Sequence, residues 1–183
     1  MRDMLAATKL KVAAMVPADV EALFEAHHAR VFRTALRVTG SAMDAEDVLQ
    51  TLFLKLIRRE NRIPSGDAAG SYLQRAAVNL ALDVLRRRGR QVDLDSVSID
   101  WRDHSPRPDE EVGARELAAW LRSAVSRLNP RAAEIFLLHH VEGLSNREIS
   151  QLLDASWGVV AVTLHRTHRR LRQQIQADLG RNV

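Results

Sequence analysis

The stretch "SNREISQLLDASWGVVAVTLHRTHRRL", residues 145–171, reads as a short helix, a tight turn and a longer helix. Ser145 and Glu148 make a capping-box pattern that opens the first helix. Ile149 and Leu152 on the first helix, and Val160 and Leu164 on the second, are spaced to hold the pair together. Asp154 stands at the turn, where a side chain tolerant of a left-handed backbone is needed. In the longer helix Trp157, Val160, Leu164, Leu171 and Ile175 share one face, which is expected to pack inward. Gly158, Val162, His165, Arg166 and Arg169 share the opposite face. This is a helix-turn-helix pattern. A plain helical hairpin has the same apolar spacing, but the short turn and the outward arginines favour contact with DNA.

Working outward, the same helical periodicity runs through almost all of the 183 residues, and no strand pattern competes with it. Asn129 is placed as an N-cap with Pro130 in the first helical position, so "LNPRAAEIFLLHHV" opens another helix. Upstream, Leu117, Trp120, Leu121, Ala124, Val125 and Leu128 mark one more. Residues 91–112 break the pattern with seven acidic residues and two prolines, the composition of a linker. Before it lie three helical segments. The first carries Val20, Leu23, Phe24, Val31, Ala35 and Val38, and ends near Gly40. The second opens at Ser41 and carries Val48, Leu49, Leu52, Phe53, Leu56 and Ile57. The third carries Tyr72, Leu73, Ala76, Ala77, Leu80, Val84 and Leu85 and runs into "RRRGR". The fold class is therefore all-α, with two small helical domains joined by a flexible acidic linker. The expected divisions are an N-terminal extension at 1–17, a first domain at 18–90, the linker at 91–112 and a second domain at 113–179.

Composition narrows the function. Net charge is +4, but arginine gathers at 86–90 and 165–172, which suggests phosphate contacts as well as solvated helix ends. There is no cysteine, so disulfides and thiolate-held zinc are excluded and a reducing cytosol is compatible. No apolar run reaches the length of a membrane span, and Lys9 and Lys11 interrupt the only stretch that resembles a signal peptide. On the third helix Arg75, Asn79, Asp83 and Arg86 form a polar face, with Val78 and Leu82 expected to lie exposed beside them. Arginine can grip phosphate, an amide can read a base edge, and apolar neighbours can wedge against unstacked bases. On the second helix Asp47, Gln50, Thr51 and Arg58 surround Leu54 on the face away from the core, and a leucine there suggests a protein contact. His27–His28 and His139–His140 are adjacent pairs whose rings point different ways, and His165 and His168 lack a third ligand, so no metal is expected. No nucleophile–base arrangement or phosphate loop appears, so no catalytic residue and no cofactor is assigned.

The order "DAEDVLQTLFLKL", "SYLQRAAVNLALDVLRRR", a linker, then "LNPRAAEIFLLHHVEGLSNREISQLLDASWGVVAVTLHRTHRRL" resembles the extracytoplasmic-function (ECF) bacterial RNA polymerase sigma factors, from about Asp19 to about Leu179. The resemblance implies a first, region-two domain that binds core RNA polymerase and opens the −10 element, and a second, region-four domain that binds the −35 element. It implies polymerase contacts at Asp47, Gln50 and Leu54. It implies −10 contacts at Arg75, Asn79, Asp83, Arg86 and Arg87, with Asn79 where the family captures a flipped base. It implies −35 contacts at Val159, Val162, His165, Arg166 and Arg169. Relatives often carry more polar groups where this chain has Val159, Ala161, Val162 and Thr163. The partners implied are core RNA polymerase and promoter DNA in the cytoplasm; many relatives are also held inactive by an anti-sigma factor. Two other classes compete: a free-standing helix-turn-helix regulator, which explains residues 113–178 but not the Asn79 face or the linker, and a helical adaptor whose basic faces meet acidic partners.

Overall fold

The computed structural model describes residues 18–58, 68–95 and 109–179, and every regular element among them is an α-helix. In chain order these are α1 (Ala18–Thr39), α2 (Ala42–Ile57), α3 (Ala68–Asp95), α4 (Asp109–Ser126), α5 (Pro130–His140), α6 (Asn146–Leu152) and α7 (Trp157–Leu179). Residues 1–17, 59–67, 96–108 and 180–183 lie outside the described residues. α3 continues beyond "RRRGR" to Asp95 and α4 begins at Asp109, so both helices extend into the acidic segment read as linker.

Local chemistry explains the boundaries. Gly40 adopts φ +71, which stops α1, and a Cβ there would sit 2.7 Å from the Arg122 guanidinium carbon. Ser41 then caps α2 by accepting a hydrogen bond from the Asp44 amide. The Asp44 carboxylate is buried and pairs with Arg88 of α3 at 2.6 Å. Asn129 caps α5 through the Ala132 amide, with Pro130 at the start of the helix. Ser145 and Glu148 satisfy each other's backbone amides, a full capping box at α6. Asp154 turns the chain at φ 47, the left-handed region, and α7 starts at Trp157.

Two apolar clusters hold the helices. The smaller joins α1, α2 and α3 through Val20, Val31, Leu52, Phe53, Leu56, Leu73 and Ala77. The larger crosses the whole chain: Val38, Val48, Val78 and Leu82 from the first three helices meet Val125, Ala133, Leu138, Ile149, Val160 and Leu164 from the last four. The sequence suggested that Val78 and Leu82 are exposed. They are 0% and 2% exposed, because they join the large cluster to which every described helix contributes. The Trp120 indole on α4 donates to Asp178 near the end of α7 at 2.9 Å.

Candidate nucleic-acid and polymerase interfaces

The helix-turn-helix pair is α6 and α7. Ile149, Val160, Leu164 and Leu171 are buried between them and the rest of the bundle, as the spacing requires. Ile175 is half-buried. Thr167, which the sequence reading passed over, is buried in the same stripe. Trp157 corrects that reading: it is 61% exposed and does not pack inward. It sits in the first turn, beyond the end of the buried stripe, so the helix presents Trp157, Val159 and Val162 to solvent. His165, Arg166 and Arg169 continue that outer face, and all three are exposed. Gly158 has open space around it, so a partner can approach the backbone there. This surface offers methyl groups and an aromatic ring first and cations behind them.

On α2 the outward strip is also open. Asp47, Gln50, Thr51 and Arg58 are exposed and Leu54 is 49% exposed. Met43, 68% exposed, lies eleven residues before Leu54 and hence on the same face. The strip therefore has an apolar group at each end, about 16 Å apart at 1.5 Å per residue. Met43 was not picked out from sequence because an exposed methionine in a first turn has no periodic signature.

The α3 face is organised differently. Arg75 Nε and Asn79 Nδ2 both donate to Glu134 Oε1 on α5, at 2.7 and 2.9 Å. Arg131 Nη1 donates to the other carboxylate oxygen at 3.2 Å, and its Nη2 reaches the Leu153 carbonyl at the end of α6. Burial raises the Glu134 pKa, but hydrogen bonds from Arg75 and Asn79 and the charges of Arg75 and Arg131 outweigh it, leaving the carboxyl below its ordinary value. Next to it Gln74 donates to Glu142, which also accepts from Thr34 and lies 3.8 Å from Arg30. Arg86 donates to the Ser126 and Leu128 carbonyls and lies 3.9 Å from Asp83, while Arg87 stands exposed. Gln74, Glu134 and Glu142 have no signal in the sequence, since their hydrogen-bond partners outside their own segments lie between 55 and 108 residues away.

Beside Asn79 opens a cavity of about 200 Å³, lined by Leu52, Lys55, Leu56, Tyr72, Ala76, Asn79, Leu80 and Asp83. A cavity of about 150 Å³ already accommodates benzene, so this one has room for a planar ring with polar edges. Asn79 and Asp83 supply an amide and a carboxylate at its margin, and Lys55 a cation.

The histidines do not assemble a metal site among the described residues. His140 of α5 and His168 of α7 bring their Nε2 atoms to 2.6 Å, with the Phe136 ring against both. Burial lowers both pKa values; the charges of His139 and His168 add to this at His140, and those of His139, Arg172 and His165 at His168. No helix among the described residues is long and apolar enough to cross a membrane.

A helix-turn-helix pair with an open outer face thus packs against a second helical unit that carries Asn79 at the margin of a cavity. Comparison with known proteins places the chain more closely. Residues 23–91 match the sigma-70 region 2 family and residues 118–171 match sigma-70 region 4. The chain is 34% identical over 154 residues to the RNA polymerase sigma factor CarQ of Myxococcus xanthus, covering 84% of this chain and 87% of that one. It is 31% identical over 149 residues to the RNA polymerase sigma-E factor of Streptomyces coelicolor, covering 80% of each. It is 33% identical over 159 residues to the ECF RNA polymerase sigma factor SigE of Mycolicibacterium smegmatis, where it covers 84% of this chain and spans 60% of that relative's length. The chain belongs to the ECF sigma factors.

Proposed function

We propose that this chain is a dissociable binding subunit, without catalysis of its own, that joins core RNA polymerase in the cytoplasm and directs it to promoters. The observation that carries the reading is the pairing of two separate surfaces in one chain, the exposed outer face of α7 and the cavity beside Asn79, each with groups suited to nucleic acid. A free-standing regulator has use for the first and none for the second. In this reading residues 18–90 hold the polymerase and the −10 element, residues 113–179 hold the −35 element, and 91–112 connects them.

The chemistry assigns each surface. Asp47, Gln50, Leu54 and Met43 on α2 offer polar groups with apolar ends, which suits a protein partner. A base turned out of the melted strand enters the cavity, where the Asn79 amide pairs with its edge and Asp83 accepts from an exocyclic amine. Arg75, Arg86 and Arg87 neutralise the phosphates that flank it. On α7, Val159 and Val162 meet thymine methyl groups in the major groove, and His165, Arg166 and Arg169 contact phosphates or a guanine. Methyl contacts discriminate less than bidentate pairs, so upstream reading is salt-sensitive and modestly selective. Size-exclusion chromatography with core polymerase, in the absence of DNA, tests the reading. A sigma factor co-elutes with core; a plain regulator elutes alone.

A further inference from the structure

We propose that Trp157 is a specificity-determining residue of the upstream contact and selects thymine, a role that rests on the proposed seating of α7 in the major groove. Three of the eight large apolar side chains exposed among the described residues, Trp157, Val159 and Val162, stand together at the start of α7. Single exposed apolar side chains need no partner, but a cluster marks a contact. Its occupant is negatively charged: His165, Arg166 and Arg169 stand exposed in the following turns, and α7 carries no acidic residue before Asp178. Gly158 separates Trp157 from Val159. Its backbone is helical and a Cβ there would meet nothing within 4 Å, so the fold has no use for glycine at this position. A ligand lying close to the helix does. The Trp120 indole donates to Asp178, whereas Trp157 donates to no group among the described residues.

The chemistry of the patch chooses the base. The side chains exposed in the first two turns of α7 carry one hydrogen-bonding group, the indole N–H, and it can only donate. Ser156, just before them, is occupied as a cap and accepts from the Val159 amide at 3.3 Å. In the major groove cytosine offers a donor, guanine two acceptors, and adenine an acceptor beside a donor. Thymine alone offers an acceptor, O4, beside a methyl group. One donor, an aromatic ring and valine methyls therefore match thymine, and they leave the amines of cytosine and adenine unpaired. From Trp157 to Val162 the axis advances about 7.5 Å at about 1.5 Å per residue, close to two base steps of about 3.4 Å. The patch thus spans a short run of thymines.

The test uses the full chain assembled with core polymerase. Duplexes are selected from a library randomised over the upstream element, and binding of the selected duplex is followed by fluorescence anisotropy. The wild type is expected to select a run of thymines. Deoxyuridine in place of thymine keeps O4 and removes the methyl, and should weaken binding about fourfold for each methyl covered. Replacing each thymine in turn by 5-methylcytosine, paired with guanine, keeps the methyl and exchanges O4 for an amine; at one position it should weaken binding about fivefold or more. Trp157→Phe keeps a ring and removes the N–H, and should reduce that preference to within about twofold. Its Tm should match wild type, because Trp157 belongs to neither apolar cluster. A selected motif without thymine, or a Trp157→Phe variant that keeps the wild-type preference, overturns the assignment. So does a Trp157→Ala variant that weakens selected and scrambled duplexes alike, since the indole then holds phosphate. Weakened association with core but not with DNA gives the ring to a protein partner and overturns it as well. Arg166→Ala locates the failure. If it weakens DNA binding while the Trp157 variants match wild type, only the thymine reading falls; if none of them alters DNA binding, α7 is not in the groove and both fall.

Discussion

Leu54→Asp tests the polymerase-facing strip most sharply. Leu54 is 49% exposed, so about half its side chain is free to be covered by a partner. Full burial of a leucine contributes about 1.5–3 kcal/mol, and half of that is about 0.7–1.5 kcal/mol. Placing a carboxylate in the contact adds the penalty of an unpaired polar group, about 1–3 kcal/mol. The expected loss is therefore at least about 2 kcal/mol, roughly 30-fold in Kd. Folding should change little, because Leu54 belongs to neither apolar cluster. An exposed substitution of this kind stays within about 0.5 kcal/mol, plus a few tenths for an acidic group near the end of α2. The assay is a titration of labelled chain with core polymerase, paired with thermal unfolding by circular dichroism. A variant that binds core as tightly as wild type refutes the assignment of this strip. A variant that loses binding and several degrees of Tm refutes the claim that the side chain faces outward.

Asn79→Ala should reduce open-complex formation, read by permanganate footprinting, while leaving binding to core polymerase within about twofold; an unchanged footprint contradicts the cavity assignment. Arg166→Ala should weaken upstream-element binding and flatten its salt dependence by about 0.9 in slope, the value for one lost phosphate contact, whereas Val162→Ser should change the preferred bases and keep the slope. Ile149→Ala, at a position 0% exposed in the helix-turn-helix core, should destabilise the fold by about 2–5 kcal/mol in chemical denaturation. His140 and His168 lie below their ordinary value of 6.5, so the folded state binds fewer protons there than the unfolded chain. Their contribution is present above pH 6.5 and is lost as pH falls below 6.5 through the lowered folded values; Tm should drop on acidification from pH 7.5 to 5.5, and His168→Gln should lessen the drop.

The sequence made helices, caps and core faces legible because those depend on near neighbours. Ser145 with Glu148, Asn129 with Pro130, and the Val160–Leu164–Leu171 stripe are patterns of three, four or seven residues. The family was legible from the order of its two motifs. What stayed hidden depends on distant pairing. Val78 and Leu82 look exposed from the wheel of α3 alone and become buried only when helices distant in sequence pack together in the large cluster. Glu134 reads as an ordinary helix surface residue until Arg75 and Asn79, more than fifty residues earlier, are brought to it. Trp157 misled in the other direction: it shares a wheel face with Val160 and Leu164, but in the first turn of α7 that face has run past the end of the core. The His140–His168 contact was invisible because each histidine has a nearer sequence neighbour that draws attention first.

In vitro transcription with purified core polymerase on a library of random promoter fragments tests the central claim most directly. Adding this chain should produce transcripts whose start sites share a two-part upstream motif, and Asn79→Ala should remove selection at the part nearer the start. Transcripts that are the same with and without the chain would contradict its assignment as a promoter-directing subunit.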